Sequence, residues 1–518
     1  MSDTDTTPRV PIGRTLVGLM SGLLVAMLAS SIVSTSLPKI VADLNGNQAT
    51  LTWIVTATLL AITVSTPVWG KLSDQLSRKA LLVVALIFFL IGSVTAGVAP
   101  DATWLIVGRV FQGLGAGGLL SLVQIVMADI ISPRERGKYM GLFGAVMAFG
   151  TIGGPLIGGL VTDVFGWRWN FFGSAPIALF SLIVVLFTIP AGAAAQSKRV
   201  RIDYAGALLL TLGISALLIW VTLGGDLFDW GSPLSLSVLG AAVLLLVIAL
   251  IVESRVAEPI LPLGLFKNRG FVLTVIASIS VGVSTYGATV FMSQYLQVAR
   301  NASATESSIA SLPQLICVTV ASTVVGAMIS RTGHWKQWMA AGGSAQALGL
   351  VLLGTITTTT PYPLLWVYMA LVGFGIGSVM QNLVLMAENN VDARQLGVAS
   401  AGVVFFRSLG GTIGLAGLGA VIAARAQFLV DDAIAKAAPS AGLHSVQLDQ
   451  VSDPGTLGIA LEVIVRDAYA RAVGDAYLIG AVLAVICVVS ILLLPGKPLS
   501  TLTRAERIAA LVDEGEGL

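Results

Sequence analysis

A short charged segment between two long apolar runs carries residues whose spacing is suited to ionic chemistry. Gly70 allows another backbone to approach closely, and Asp74 follows about one helical turn later. A carboxylate there can accept hydrogen bonds from the free N–H groups that begin a neighbouring helix. Arg78 and Lys79 follow, and their cations suit a membrane surface that carries anionic headgroups. The spacing therefore predicts a breakable contact, a gate, between two helix ends.

Polar side chains inside the apolar runs form a second set of candidates. Arg109 and Arg407 are cations that would need a polar partner or a water-filled cavity within a membrane. Uncharged polar residues accompany them as candidates for ligand contact: Gln112, Gln124, Tyr286, Gln294, Gln297, Gln381 and Asn382. Each could instead bond one helix to another. Because no acid is predicted at the middle of a run, the set favours neutral, zwitterionic or anionic amphiphiles over permanent cations.

The acidic residues fall in predicted loops or at the ends of apolar runs. Asp163 and Asp475 stand at predicted outer ends and are candidates for proton uptake, together with the buried cation Arg109. An acid that is buried when one side closes can bind a proton and release it when it is exposed again. The alternative is that both are solvated charges at helix ends.

A glycine ladder with one proline occupies the fifth apolar run. Its members are Gly150, Gly154, Pro155, Gly158 and Gly159. The glycines permit close helix contact, and a proline frees a carbonyl and bends its helix. The alternative interpretation is ordinary tight packing.

Composition sets the class of protein. Of 518 residues, 56% are hydrophobic and only 11% are charged, and the mean hydropathy is +0.90. Soluble domains carry about 25% charged residues, so this chain must keep most of its surface in lipid. Cys317 and Cys487 both lie in apolar runs, which predicts no disulfide, metal site or cofactor. No basic cluster indicates nucleic acid, and the two histidines offer no catalytic pair, so we do not expect an enzyme.

Hydropathy predicts an all-α membrane protein with fourteen spans, each about 20 residues long. They lie at roughly 15–37, 51–70, 80–99, 104–127, 138–161, 170–190, 205–224, 234–252, 271–296, 308–330, 338–357, 363–386, 398–423 and 473–494. Alternate loops are rich in Lys and Arg, whereas the short loops opposite carry only Lys39, Arg168 and Arg300. The positive-inside rule then predicts that both termini lie on the cytoplasmic side of an inner cell membrane.

Internal echoes predict two related halves. Gly113–Gly117 returns as Gly373–Gly377, and Gly153–Gly154 returns as Gly410–Gly411. Such halves bind substrate near the mid-membrane and rock around it. The predicted parts are a cytoplasmic tail (1–14), a six-helix bundle (15–190), two inserted helices (191–270), a second six-helix bundle (271–497) with an extracytoplasmic loop at 424–472, and a second cytoplasmic tail (498–518). We expect a monomer.

These motifs resemble the major facilitator superfamily, and within it the fourteen-span drug:proton antiporters of the multidrug or quaternary-ammonium exporter type. The resemblance rests on Gly70–Lys79, the Arg109 run, the glycine ladder and the span count. It is supported by Trp167–Phe172, Ser293–Val298, Gln381–Asn382 and Phe405–Gly411. Many relatives carry an aspartate in the first span, where this chain has Ala29. The departure weakens the inherited expectation of a buried acid that pairs with cationic drugs.

The resemblance implies a secondary active exporter that exchanges protons for drugs or other amphiphilic small molecules by alternating access. Its partners would be the small-molecule substrate, protons and membrane lipid, with no nucleic acid. A dedicated exporter of one endogenous metabolite, lipid or siderophore is the alternative. A non-transporting membrane sensor is a third interpretation, which the gate and the glycine ladder disfavour.

Overall fold

The structure is a computed structural model in which the described part of the chain is almost wholly α-helical. It describes residues 12–33, 36–44, 48–189, 203–224, 228–256, 259, 262–302, 304–392, 395–441, 459–496, 499 and 506. The predicted tails, 1–14 and 498–518, therefore lie almost entirely outside the described residues.

The helices group into a first half, an inserted pair and a second half. The first half contains α1 (Ile12–Ser31), α2 (Leu37–Asp43), α3 (Gln48–Gln75), α4 (Arg78–Gly97), α5 (Ala102–Ile130), α6 (Pro133–Val164) and α7 (Arg168–Thr188). The inserted pair is α8 (Tyr204–Leu223) and α9 (Pro233–Glu253). The second half contains α10 (Arg269–Gln294), which a π-helical turn extends (Tyr295–Ala299), then α11 (Ala304–Ala310), α12 (Leu312–Thr332), α13 (Trp335–Leu353), α14 (Tyr362–Asn390), α15 (Leu396–Ala441) and α16 (Ile459–Leu493).

Length and hydropathy identify a multi-pass membrane protein. Among the described residues, ten helices are long and apolar enough to cross a bilayer, and two shorter apolar stretches lie within α1 and α8. Large apolar side chains cover the outside, including Phe187 at 86% exposed and Leu160 at 68% exposed. Each of the fourteen predicted runs overlaps one long helix, although the run 15–37 passes the end of α1 at Ser31 and the run 308–330 begins in α11. The count of fourteen membrane crossings stays a prediction.

The echoes in the sequence correspond to equivalent helix contacts in the two halves. Gly115 of α5 packs against Phe89 of α4, and Gly375 of α14 packs in the same way against Gln346 of α13. A β-carbon at either glycine would collide with the partner helix, so the glycines set these close crossings. Each half contains its own apolar core.

Two helix pairs form most of the contact between the halves, and α15 also lies against α5. In one pair α3 lies against α15, and Gly70 contacts Ala401. In the other pair α6 lies against α12, and Gly144 contacts Ser322. The inserted helix α8 packs on both α3 and α15, so it covers the first of these seams from outside.

The predicted loop at 424–472 differs from the structure. Helix α15 continues to Ala441 and α16 begins at Ile459, so helix replaces loop on both sides of residues 442–458, which lie outside the described residues. Ion pairs one turn apart, such as Lys436 with Asp432 and Arg466 with Glu462, support the two extensions. Their apolar faces form a small core with Val430 and Val465. Hydropathy places these two extensions outside a span because charged side chains alternate with the apolar ones.

Candidate functional site

The Asp74 carboxylate joins the two halves by capping a helix of the other half. Its Oδ1 accepts a hydrogen bond from the Gly397 N–H at 3.2 Å, and its Oδ2 accepts one from the Val398 N–H at 3.0 Å. Both amides belong to the first turn of α15, where N–H groups have no partner inside the helix and the helix dipole favours an anion. The contact therefore closes the seam between α3 and α15 at this end, here called the Asp74 end.

Two glycines allow the capping contact. A β-carbon at Gly397 would overlap Ser73 Oγ and lie 2.6 Å from Asp74 Oδ1. A β-carbon at Gly70, one turn before Asp74, would overlap the β-carbon of Ala401. The predicted role of Gly70 as the place where a second backbone approaches thus has a specific partner in α15.

An ionic network surrounds Asp74 on its own half. Arg78, the first residue of α4, lies with its Nε 2.6 Å from Asp129 Oδ2 of α5 and with an Nη 3.8 Å from Asp74 Oδ1. The Asp74 side chain is only 9% exposed, so solvent screens these charges weakly. Arg78 thus ties the α3–α4 turn to the end of α5. Lys79 is turned away, and its Nζ donates to the Leu186 carbonyl of α7 at 2.6 Å.

A buried glutamate on the second half was missed by the sequence analysis. Glu388 lies near the end of α14, is completely buried, and accepts a hydrogen bond from Ser400 Oγ of α15 at 2.6 Å. The carboxylate of Asp129 interacts electrostatically with those of both Asp74 and Glu388. The available signal was positional, since Asp129 ends α5 and Glu388 occupies nearly the same place in the equivalent helix α14. We call Asp74, Arg78, Asp129, Glu388 and Ser400 the Asp74 cluster.

Arg109 lies in a hydrogen-bond network inside the first half. Its guanidinium donates to Gln112 Oε1 at 2.6 Å and to the Ile54 carbonyl at 3.4 Å, and it lies 6.0 Å from the Phe171 ring. Gln112 in turn donates to Ser93 Oγ at 3.0 Å. The two predicted site residues Arg109 and Gln112 are thus in direct contact and link four helices of this half.

Arg407 lies in the second half beside a tyrosine. An Nη of Arg407 donates to the Met380 carbonyl of α14 at 3.3 Å, which places it one residue from buried Gln381 and two from buried Asn382. Tyr286 of α10 lies near the Arg407 guanidinium, and its ring lies on Gly411. Tyr286 is 40% exposed, so it presents a surface that a ligand can reach.

Three other predicted contact residues lie elsewhere. Gln294 and Gln297 are exposed beyond Tyr286 on α10 and its π-helical turn, where Gln294 accepts from the Tyr469 hydroxyl at 3.0 Å. Gln297 donates to Ser293 at 2.9 Å. Gln124 is buried in α5. The structure therefore brings Tyr286 and Arg407 together, whereas Gln381 and Asn382 follow the Met380 acceptor on α14 and Asn382 donates to the Ser378 carbonyl of its own helix.

The glycine ladder of α6 faces its own half. Gly150 contacts Met27 and Gly154 contacts Ser31, both of α1, and Ser31 Oγ donates to the Gly150 carbonyl at 2.6 Å. The Gly158 carbonyl accepts from Asn170 of α7 at 3.3 Å. A β-carbon at Gly159 would meet nothing within 4 Å. Pro155 belongs to this helix, but its side chain lies outside the described residues.

The two acids predicted for proton uptake are not equivalent in the structure. The Asp475 side chain, on α16, is 43% exposed, and its Oδ2 lies 2.8 Å from the Nε of Arg425. Neither residue belongs to the Asp74 cluster. The side chain of Asp163, on α6, lies outside the described residues. Arg109 has its own network and no described contact to Asp475.

Comparison with known proteins gives the family. A family model described as the Major Facilitator Superfamily matches residues 19–415. An MFS-type transporter of Mycobacterium tuberculosis is 37% identical over 413 residues, which are 79% of this chain and 60% of the relative's length. The multidrug transporter protein MdtP of Bacillus subtilis is 33% identical over 458 residues, 87% of this chain and 84% of MdtP.

A solved structure shows the same fold. The human organic anion transporter MFSD10 (TETRAN) superposes with a TM-score of 0.60 over 92% of this chain and 99% of its own. Its sequence identity to this chain is 14%, so the likeness concerns the fold alone.

Proposed function

Because this chain belongs to the major facilitator superfamily, we propose that it is a proton-coupled exporter of amphiphilic small molecules that works by alternating access. Its place among the fourteen-span drug:proton antiporters is part of the proposal. The name of MdtP as a multidrug transporter, together with 33% identity over most of both chains, supports a broad set of substrates.

The distribution of Lys and Arg supports placing the Asp74 end on the cytoplasmic side of an inner cell membrane. Lys71, Arg78 and Lys79 lie at this end, and Arg331 and Lys336 lie at the matching end of α12 and α13. Lys and Arg are enriched on the cytoplasmic side of membrane proteins. With this orientation the Asp74 cluster closes the cytoplasmic side of the pathway.

The observation that carries the proposal is the capping of α15 by Asp74. A carboxylate accepts from both amides, whereas a protonated carboxyl keeps one good acceptor and loses its charge. A proton that reaches Asp74 while the outer side is open would therefore release α15 and favour opening to the cytoplasm. When the proton leaves to the cytoplasm, the carboxylate can cap α15 again, which returns the protein to the outward-facing arrangement.

Asp129 and Glu388 make this contact sensitive to charge. Three carboxylates share a small, poorly hydrated region with Arg78, so a change of charge on one of them alters the energy of the others. We propose this cluster as the proton-linked switch in preference to Asp475, whose carboxylate is exposed and already paired with Arg425. Asp163 stays a candidate for the outer end of the proton path.

The substrate region proposed here is centred on Arg407 and Tyr286, with Gln381 and Asn382 on the adjacent helix α14. It offers a cation, a phenol and two amides, which suits neutral, zwitterionic or anionic headgroups. Arg109 and Gln112 form a second polar group in the other half, and the two groups would face the same substrate from opposite sides as the halves rock.

Transport by the purified protein in liposomes tests this function. An imposed pH gradient should drive several unrelated amphiphiles, and neutral or anionic members should move faster than permanent cations. Empty liposomes and the Asp74→Asn variant are the controls. Movement of no compound by protein shown to be folded would contradict the proposal and would favour a dedicated exporter of one endogenous product.

A further inference from the structure

The seam between α3 and α15 changes character along its length. At the Asp74 end it is closed by the capping contact and by Gly70 against Ala401. Towards the middle it is filled by a core in which Val64 of α3 and Phe405 of α15 pack with Leu218 of the inserted helix α8. The halves are thus in close apolar contact up to this level.

Beyond this core the seam widens into a cavity of about 240 Å³. Residues from both halves and from the inserted pair line it: Thr56, Leu59, Leu60, Leu218, Tyr286, Thr412, Leu415 and Ala416. Leu218 bounds the cavity on the side of α8, which lies outside the two halves. Tyr286 bounds it on the inner side and lies near Arg407. The cavity therefore connects the proposed substrate region with the inserted helix.

We infer that this cavity is a side passage in which the apolar tail of an amphiphilic substrate lies as it moves between the Arg407 region and the outer leaflet, and that Leu218 of α8 bounds its lipid side. The inference rests on the proposed function, and it assigns a role to the inserted pair, which the two bundles do not need in order to rock.

The chemistry of the lining matches one part of such a substrate. Five of the lining side chains are aliphatic, and the polar ones contribute only hydroxyl groups, so an apolar tail fits and a charged head does not. A pocket for a whole drug-sized ligand is about 300–1,000 Å³. The smaller cavity holds a tail while the headgroup stays near Arg407 and Tyr286. A substrate of two parts, polar and apolar, is therefore the class that the passage selects.

The inference is tested with neutral alkyl-coumarin dyes that share a headgroup and differ in tail length. The Leu218→Trp variant fills the passage, so it should slow transport of a long-tailed dye at least tenfold and change transport of the ethyl dye less than twofold. The matched control is Leu212→Trp, because Leu212 is on the same helix but 46% exposed on its lipid side. That control should leave both dyes unchanged. Equal loss for both dyes in Leu218→Trp, or no loss for either, overturns the inference.

A binding experiment separates the failure of the passage from failure of the proposed function. In a background with Cys317→Ala and Cys487→Ala, the thiol of a Leu218→Cys variant is labelled with a small methanethiosulfonate reagent, because Leu218 is only 2% exposed and the cavity is too small for a bulky label. The long-tailed dye should slow this labelling at least fivefold and the ethyl dye should not, while labelling of Leu212→Cys is unaffected. If the wild type moves neither dye, the proposed function fails for these compounds, yet protection still supports the passage. Absence of protection refutes it.

Discussion

The Asp74→Asn variant tests the proposed gate at its central contact. Asparagine has almost the same shape as aspartate, so Gly70, Ser73 and Gly397 keep their packing. Gly397 and Val398 donate to different oxygens of Asp74, and asparagine replaces one of these oxygens with an NH₂ donor, so one of the two hydrogen bonds is lost in this geometry. The substitution also removes the negative charge of Asp74, which the dipole at the N-terminus of α15 stabilises.

The structure sets the size of the expected effect. A hydrogen bond to a charged group contributes about 1.5–3 kcal/mol, and the Asp74 side chain is only 9% exposed, which leaves little screening by solvent. Loss of one such bond shifts the balance between the closed and open arrangements of the Asp74 end about 10- to 150-fold towards open. Because both bonds cross between the halves, the shift acts on this balance and not on the folding of either half.

Thiol reactivity at the gate measures that shift. Val398 is buried beside Asp74, so in a background with Cys317→Ala and Cys487→Ala a Val398→Cys variant should react slowly with maleimide while the end is closed. Adding Asp74→Asn should raise the rate about tenfold or more, and transport should fall by a similar factor. The matched control is Asp432→Asn, since Asp432 is exposed and its pair with Lys436 contributes about 0.3–0.5 kcal/mol. An unchanged rate in Asp74→Asn, or an equal rise in the control, would refute the gate.

Two further substitutions probe the gate and the first-half network. Gly397→Ala should raise the reactivity of Val398→Cys as Asp74→Asn does, because its new β-carbon would lie 2.6 Å from Asp74 Oδ1. The control Gly402→Ala meets only ordinary contact with Phe271 at 3.4 Å, and equal rates in the two variants would count against the role of Gly397. Arg109→Lys should lower transport at least tenfold, since an ammonium cannot serve both Gln112 and Ile54 as the guanidinium does. Arg331→Lys, at an exposed site, is its control, and full transport in Arg109→Lys would refute a hydrogen-bonding role.

Much of the architecture could be predicted because the physics of a membrane chain is periodic and local. An apolar run of about 20 residues satisfies its backbone in lipid by forming a helix, so each predicted run overlaps one long helix. The family could also be predicted from the sequence, because Gly70–Lys79 is a short motif whose residue types serve one contact, the capping of α15 by Asp74. The matching family model and relatives confirm the superfamily.

The partners of the gate could not be predicted from one segment. Asp74 meets the N–H groups of Gly397 and Val398, which carry no side-chain signal and lie more than three hundred positions away. Glu388 could not be predicted as a site residue, because a single acid near the end of a span is expected to be solvated. The packing of α14 against α15 buries it. Hydropathy gives the position of a helix end along the chain, but it does not give the side of that end that packs against the other half.

Individual polar residues were the least predictable part of the site. Lys79 and Arg78 are adjacent in sequence, but on a helix they point to different neighbours, so one reaches Leu186 and the other reaches Asp129. Gln294 is predicted as a ligand contact together with Tyr286, but it lies about two helical turns further along α10 and accepts a hydrogen bond from Tyr469. Orientation around each helix decides such contacts, and it depends on packing across the whole bundle.

Proton movement during downhill transport tests the central claim most directly. Purified protein is placed in liposomes with no initial pH gradient, a long-tailed neutral alkyl-coumarin gradient is imposed, and the internal pH is recorded with a trapped indicator. The account predicts that protons move opposite to the dye, that a protonophore abolishes the pH change, and that Asp74→Asn weakens it at least tenfold. Dye movement through the wild type with no accompanying pH change would contradict proton-coupled exchange.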